Sequence, residues 1–166
     1  MMTPDILITK TMKSKIITSY SILKTICLGD LLLVANVTQL IGIYFHDCKH
    51  APIPESDWKF NPGQPVLKQA GEELQEYPAG TRIDFSVPLD YEGTAFQREI
   101  WRQIALIPFG ETIAYTELAH RAGTPNALRA AGTTTGRNPL SIIIRCHRVV
   151  GKDGGMGGYA GGLDRK

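Results

Sequence analysis

The chain has 166 residues, 43% of them hydrophobic and 20% charged, with a formal net charge of +2. That length holds one sizeable domain or two small ones, and the composition excludes a fibrous or wholly disordered protein. The charge is unevenly placed: residues 1–90 carry 8 Lys/Arg against 10 Asp/Glu, whereas residues 91–166 carry 10 against 6. A basic, Arg-rich second half is a modest pointer to a polyanionic partner.

Residues 1–15 contain Asp5 and three lysines without a long apolar run, which is not the pattern of a cleavable leader, and they stay unassigned. Residues 16–46 read as β structure. Ile/Val/Leu-rich runs at 16–20, 31–34 and 40–45 are separated by turn residues at Gly29-Asp30 and Asn36. The most apolar stretch, residues 26–35, is broken by Asp30 and is about half the roughly 20 residues a membrane helix needs. Residues 47–64 read as loop, and residues 65–77 as a helix with Val66, Leu67, Ala70 and Leu74 near one face. Alternation of Ile83, Phe85 and Val87 predicts a last strand before Pro88. Together these make an α+β domain over residues 16–90.

The character changes at Gly93. Thr94 and Gln97 have capping-box spacing, and Phe96, Ile100, Ile104 and Ile107 follow at helical intervals up to Pro108-Phe109-Gly110. A short helix over about 115–121 ends at Ala122-Gly123, and Thr124 is expected to cap a second helix with Pro125 at its first position. Helix, glycine-containing turn, helix is the outline of a helix-turn-helix, although many such pairs bind nothing. The second helix carries Ala127, Ala130, Ala131 and Gly132, a small-sided surface that could approach a groove closely. Residues 140–144 read as a buried strand leading into Arg145-Cys146-His147-Arg148, and seven glycines lie between Gly151 and Gly162.

Cys146 is the candidate nucleophile. Flanking Arg145 and Arg148 are potential positive charges of the kind that lower a thiol's pKa and raise the thiolate fraction, although Arg145 could instead crowd the site. His147 is a candidate base, and the alternative is a buried structural cysteine beside a chance histidine. Adjacent residues of a strand face opposite ways, so a water or a bend would have to connect the pair. Three cysteines (Cys27, Cys48, Cys146) without paired spacing argue for a reducing compartment, hence a cytoplasmic location, or nuclear in a eukaryote. His46, Cys48 and His50 alternate, but zinc takes about four ligands, with Cys27 the only further candidate; no metal is expected. Gly151-Lys152-Asp153 lacks the Ser/Thr of a phosphate loop.

Residues 93–166 closely resemble the C-terminal domain of the O6-alkylguanine-DNA alkyltransferases, the methylated-DNA–protein-cysteine methyltransferases. The matching pieces are Gly93-Thr94-Ala95-Phe96-Gln97 with Trp101, Ile107-Pro108-Phe109-Gly110-Glu111-Thr112, Tyr115, Arg129-Ala130, Asn138-Pro139, Cys146-His147-Arg148-Val149 and Tyr159-Ala160-Gly161-Gly162. Residues 16–90 match more loosely. The resemblance implies a ribonuclease-H-like α+β N-terminal domain followed, over residues 91–166, by a mainly helical winged-helix/helix-turn-helix domain. It further implies irreversible, single-turnover transfer of the alkyl group of O6-alkylguanine in double-stranded DNA to the Cys146 thiol. His147 would be the base through a water, Tyr115 would press on a phosphate and donate a proton toward the base, and Asn138 would hold the loop geometry. Arg129 would fill the space of the extruded base, with Thr124, Ala127 and Ala130 along the DNA in the minor groove. Val149, Tyr159 and Ala160 would line the guanine pocket. A monomer without a cofactor is expected.

Two positions depart from the family pattern. The residue before the nucleophile is usually Pro and is Arg145 here. The family continues into a final helix whose Glu orients the histidine, and no residue up to Lys166 carries over for that role. An alkylated-DNA binder impaired in chemistry, or a helix-turn-helix regulator, are the competing readings.

Overall fold

The computed structural model describes residues 17–48 and 50–166. Residues 1–15, unassigned from sequence, lie outside them, as does Ile16. The first strand, β1 (Ser19–Thr25), lies later than the expected 16–20 and forms an antiparallel hairpin with β2 (Gly29–Ala35). Thr25 closes that hairpin: its hydroxyl donates to the Gly29 carbonyl and accepts the Leu28 N–H, both at 2.9 Å. β3 (Leu40–Phe45) pairs antiparallel with β2 across a bulge at Val34/Ala35, and the turn between them is held by the Asn36 carboxamide oxygen accepting from Thr38 and Gln39 N–H. Inside the expected loop 47–64 lies a two-residue strand, β4 (Lys59–Phe60), parallel to β1, so the sheet order is β3-β2-β1-β4.

Helix α1 (Pro65–Glu76) covers this sheet with Val66, Leu67, Ala70 and Leu74 buried, as their spacing anticipates. Gln64 caps it, accepting the Leu67 N–H at 2.9 Å while its amide nitrogen donates to the Asn36 and Val37 carbonyls. The expected strand at 83–87 does not form. The Ser86 and Val87 N–H groups donate instead to the buried carboxylate of Glu73 on α1, at 2.9 and 3.3 Å, so no neighbouring strand receives them. Only Leu89 makes a bridge, to Leu40 of β3.

The second half packs three helices. α2 (Ala95–Ala105) begins with the anticipated Thr94/Gln97 capping box and buries Ile100, Trp101 and Ile104. β5 (Ile113–Ala114) runs into α3 (Tyr115–Arg121), and Gly123, at φ +69°, makes the tight turn that follows. The next helix, α4 (Leu128–Gly136), starts three residues later than Pro125. Thr124 does not cap it. Its hydroxyl and N–H both turn back to the Ala119 carbonyl, and its own carbonyl accepts the Ala127 N–H, making a separate turn before the helix. Trp101 ties α2 to α4 through a 3.0 Å bond from its indole N–H to the Thr134 carbonyl.

Residues 140–144 are buried, but not as a strand. Leu140 meets Ile43 of the edge strand β3 in a single bridge; the chain then turns sharply, with Ile142 at φ +76° and the Ile144 N–H returning to the Leu140 carbonyl. A β-branched residue at positive φ costs on the order of 1–3 kcal/mol and is held only by its surroundings. The turn delivers Cys146 to a short 3-10 segment (Cys146–Arg148) and then to β6 (Val149–Val150), parallel to β5. The chain end lies over the end of β3: Arg165 pairs with Asp47 at 2.9 Å and sits above the Phe45 ring. A side chain at Gly161 would collide with that ring, which lets the 159–162 backbone come close.

Candidate active site

Cys146 is 5% exposed. Its thiol lies 3.1 Å from the amide nitrogen of Asn138, which also donates to the Ile144 carbonyl at 2.7 Å while its oxygen accepts the Leu140 N–H at 2.9 Å. One buried side chain thus braces both ends of the turn and touches the sulfur. The sulfur opens onto a cavity of about 350 Å³ walled by Tyr115, Thr135, Gly136, Tyr159 and Ala160. The small residues Gly132 and Gly136 of α4 leave that space open, and His50, from the N-terminal half, completes the rim.

Arg129 and Ala130 of α4, with Ala127 just before the helix, line a wider hollow of about 630 Å³ with Thr94, Gln97 and Thr133. Arg129 is exposed. The helix therefore stands between the hollow that holds Arg129 and the cavity that holds Cys146. Val149 is fully buried in the core, does not line the cavity, and pairs with Ile113; Thr124 lines neither space. Among the described residues no three His, Cys, Asp or Glu side chains cluster as metal ligands. His46 stays in a surface turn and Cys48 and His50 face a neighbouring cavity beside Tyr44 and Asn138.

The electrostatics reverse one expectation. Arg145 and Arg148 do not activate the thiol. Burial pushes the Cys146 pKa up, opposed by the Asn138 amide, nearby backbone N–H groups and the Lys166 ammonium. Both guanidiniums are committed elsewhere. Arg145 donates to the Ala105 and Ile83 carbonyls at 3.2 and 3.1 Å and pairs with Asp84 at 2.7 Å. Arg148 donates to the Ile107 and Pro108 carbonyls at 3.0 and 2.6 Å and stacks on Phe109. Their charges act on His147 instead. Burial first, then Arg148, Arg145 and Lys166, lower its pKa to about 4, which keeps the imidazole neutral near pH 7, with a free nitrogen but weakened basicity. Burial and the neighbouring sulfur raise the pKa of Tyr115 and of Tyr159, so both phenols keep their protons.

Residues 19–91 match the model of the ribonuclease-like domain of 6-O-methylguanine DNA methyltransferase, and residues 95–166 that of its DNA binding domain. A methylated-DNA–protein-cysteine methyltransferase of Mycolicibacterium paratuberculosis is 40% identical over 139 residues, 84% of this chain and 82% of that protein. This chain belongs to the methylated-DNA–protein-cysteine methyltransferase family. A methyltransferase of the same name from Methanosarcina barkeri is also 40% identical, over 84% of this chain and 87% of that protein. The crystal structure of Mycobacterium tuberculosis OGT in complex with DNA superposes with a TM-score of 0.81 at 35% identity, covering 89% of this chain and 87% of that one. The methyltransferase fold is thus the ribonuclease-like sheet and helix joined to the helical DNA-binding half, as the resemblance implies.

Three features were not assigned to this methyltransferase site from sequence: His50 on the cavity rim, weighed only as a metal ligand; the small wall residues of α4, read as a groove-facing surface; and Tyr77, whose hydroxyl lies 3.5 Å from Nε2 of His147. Only the glycines of α4 gave a local signal; the other two are brought in by tertiary packing.

Proposed function

We propose that the chain repairs O6-alkylguanine in double-stranded DNA by moving the alkyl group to Sγ of Cys146. The observation that carries this is the single cavity shared by a buried, Asn138-bonded thiol, two protonated phenols and a backbone wall. Cys146 starts as a neutral thiol and His147 as a neutral base. A bridging water passes the proton from sulfur to imidazole, and the thiolate is met by the Asn138 amide, backbone N–H groups and the Tyr159 hydroxyl. Sulfur attacks the alkyl carbon in line, the C–O6 bond breaks, and Tyr115 supplies the proton that the leaving guanine needs. The product is a thioether, which has no route to hydrolysis, so each molecule reacts once.

The base must leave the stack to reach the cavity, at roughly a few kcal/mol. Arg129, exposed near the start of α4, occupies the gap, while Ala127 and Ala130 let the helix approach the minor groove and Thr124 meets the backbone beside it. Transfer from carbon–oxygen to carbon–sulfur needs neither cofactor nor metal. The division of labour places the alkyl acceptor in residues 91–166 and a supporting domain in 16–90, in a monomeric cytoplasmic protein (nuclear in a eukaryote). Among the described residues no helix is long and apolar enough to cross a membrane.

The test is a duplex carrying labelled O6-methylguanine, mixed with stoichiometric protein. Label on Cys146, with the intact mass raised by one methyl substitution, is the expected result. Protein that binds this duplex and leaves the label on DNA would overturn the reading.

A further inference from the structure

His147 has one side-chain hydrogen-bond partner among the described residues, the hydroxyl of Tyr77, 3.5 Å from Nε2. Tyr77 comes from the other half of the molecule. It is the C-cap of α1, where its N–H returns to the Glu73 carbonyl, and its ring packs on Phe85 at 5.3 Å between centroids. Its hydroxyl is fixed from a second direction by Arg148, whose Nη2 donates to it at 3.4 Å while the same guanidinium is anchored on the Ile107 and Pro108 carbonyls. Backbone, ring and hydroxyl are therefore each held independently of His147.

The direction of this bond follows the tautomer of His147, because the phenol can donate or accept. A phenol oxygen accepts two hydrogen bonds and donates one. A base acting on Cys146 needs one ring nitrogen without a proton, and the nitrogen facing Tyr77 is the one with a partner able to accept. We infer that Tyr77 is a positioning residue for His147: its hydroxyl oxygen accepts Nε2–H and holds the imidazole as the tautomer whose Nδ1 is free to take the Cys146 proton.

The inference rests on the reading of His147 as the base. In the step itself the S–H bond breaks and an Nδ1–H bond forms through water; Nε2–H stays in place, and Tyr77 neither gains nor loses a proton. The cations around the ring are Arg148, Arg145 and Lys166, so the new imidazolium forms among like charges. Among the described residues, the Tyr77 hydroxyl is the one side-chain hydrogen-bond partner of the ring. Hydrogen bonds of this kind are often long before substrate binds and shorten in the reacting complex.

The test uses the full chain and Tyr77→Phe, which keeps the ring on Phe85 and removes only the hydroxyl. First, 15N spectra of the unreacted wild-type imidazole, assigned with His147→Gln, are expected to show the Nε2–H tautomer; an Nδ1–H tautomer overturns the inference without any activity measurement. Second, single-turnover transfer from a saturating O6-methylguanine duplex is expected to fall about tenfold in Y77F, with duplex affinity unchanged and the tautomer signal mixed. An unchanged rate and an unchanged tautomer in Y77F also overturn it. Wild-type protein that shows no transfer would instead sink the reaction assigned to Cys146, and the tautomer result would still decide the role of Tyr77.

Discussion

The amide nitrogen of Asn138 lies 3.1 Å from the sulfur of Cys146 and 2.7 Å from the Ile144 carbonyl, so one side chain is bonded both to the nucleophile and to the strained turn that presents it. The Asn138→Ala variant loses these two bonds and a third to the Leu140 N–H, leaving buried backbone groups unsatisfied. A loss of about 2–4 kcal/mol in denaturant titration is expected. At the same time the thiol loses a donor that favours its ionised form. Reaction with a small alkylating agent near pH 8 is expected to slow severalfold, and an unchanged rate in the folded variant would show that the amide acts on the turn alone.

The pH dependence follows from His147 and Cys146. With the imidazole at about 4, it is deprotonated throughout the neutral range. Transfer to free O6-benzylguanine is therefore expected to be flat between about pH 6 and 8, to fall near pH 4–5, and to rise in alkali as the thiol, raised by burial, ionises without help. A break near 6.5 would mean an imidazole of ordinary basicity. Stability moves the same way. The unfolded histidine takes up its proton near 6.5 and the folded one near 4, so the folded state is favoured above 6.5 and loses on the order of 3 kcal/mol as pH falls through that window. Thermal melts of the wild type and His147→Gln separate this contribution from that of the carboxylates.

Arg145 is a test of how much its side chain, rather than its backbone, does at this position. Arg145→Ala removes the bonds to Ala105, Ile83 and Asp84, and the cost is expected to be about 1–2 kcal/mol, because the Asp84 end of the ion pair is well exposed to water. Arg145→Pro loses the same bonds, but the position has φ −75° and its N–H makes no backbone bond among the described residues. Proline fits that backbone and narrows the unfolded ensemble, so R145P is expected to be more stable than R145A by about 0.5–1 kcal/mol and to keep transferring. Calorimetry of the pair decides it.

Arg129 is exposed and lines a different hollow from the thiol. Arg129→Ala is expected to react normally with O6-benzylguanine and at least tenfold more slowly with an O6-methylguanine duplex, since only the second substrate must be extruded. Equal losses on both substrates would place Arg129 in the acceptor cavity.

Legibility from sequence followed the range of the forces involved. α1 and α2 were readable because their signals are local: one apolar face over 65–77, and Thr94 with Gln97 three residues on. The strand expected at 83–87 failed because its N–H groups are taken by Glu73, a carboxylate on a helix already passed. The strand expected at 140–144 failed because an apolar run says that a segment is buried, not that Ile142 turns the chain through positive φ. At the site, the resemblance supplied Cys146, Tyr115, Tyr159 and Asn138, and the structure brings them together. It supplied no partner for His147, and the effect of Arg145 and Arg148 was read on the wrong residue: neighbours in the chain are not neighbours in the field once their heads are bound elsewhere.

The turn at Ile142 has a consequence for the spent molecule. Before reaction, the sulfur fits among Asn138, Tyr159 and the core with 5% of the residue exposed. Alkylation puts a carbon into the cavity beside the sulfur and turns a hydrogen-bonded thiol into a bulkier thioether. The strain that packing had contained then has weaker walls around it. A molecule that has done its work should open more readily than a fresh one, so its own chemistry would label it for disposal.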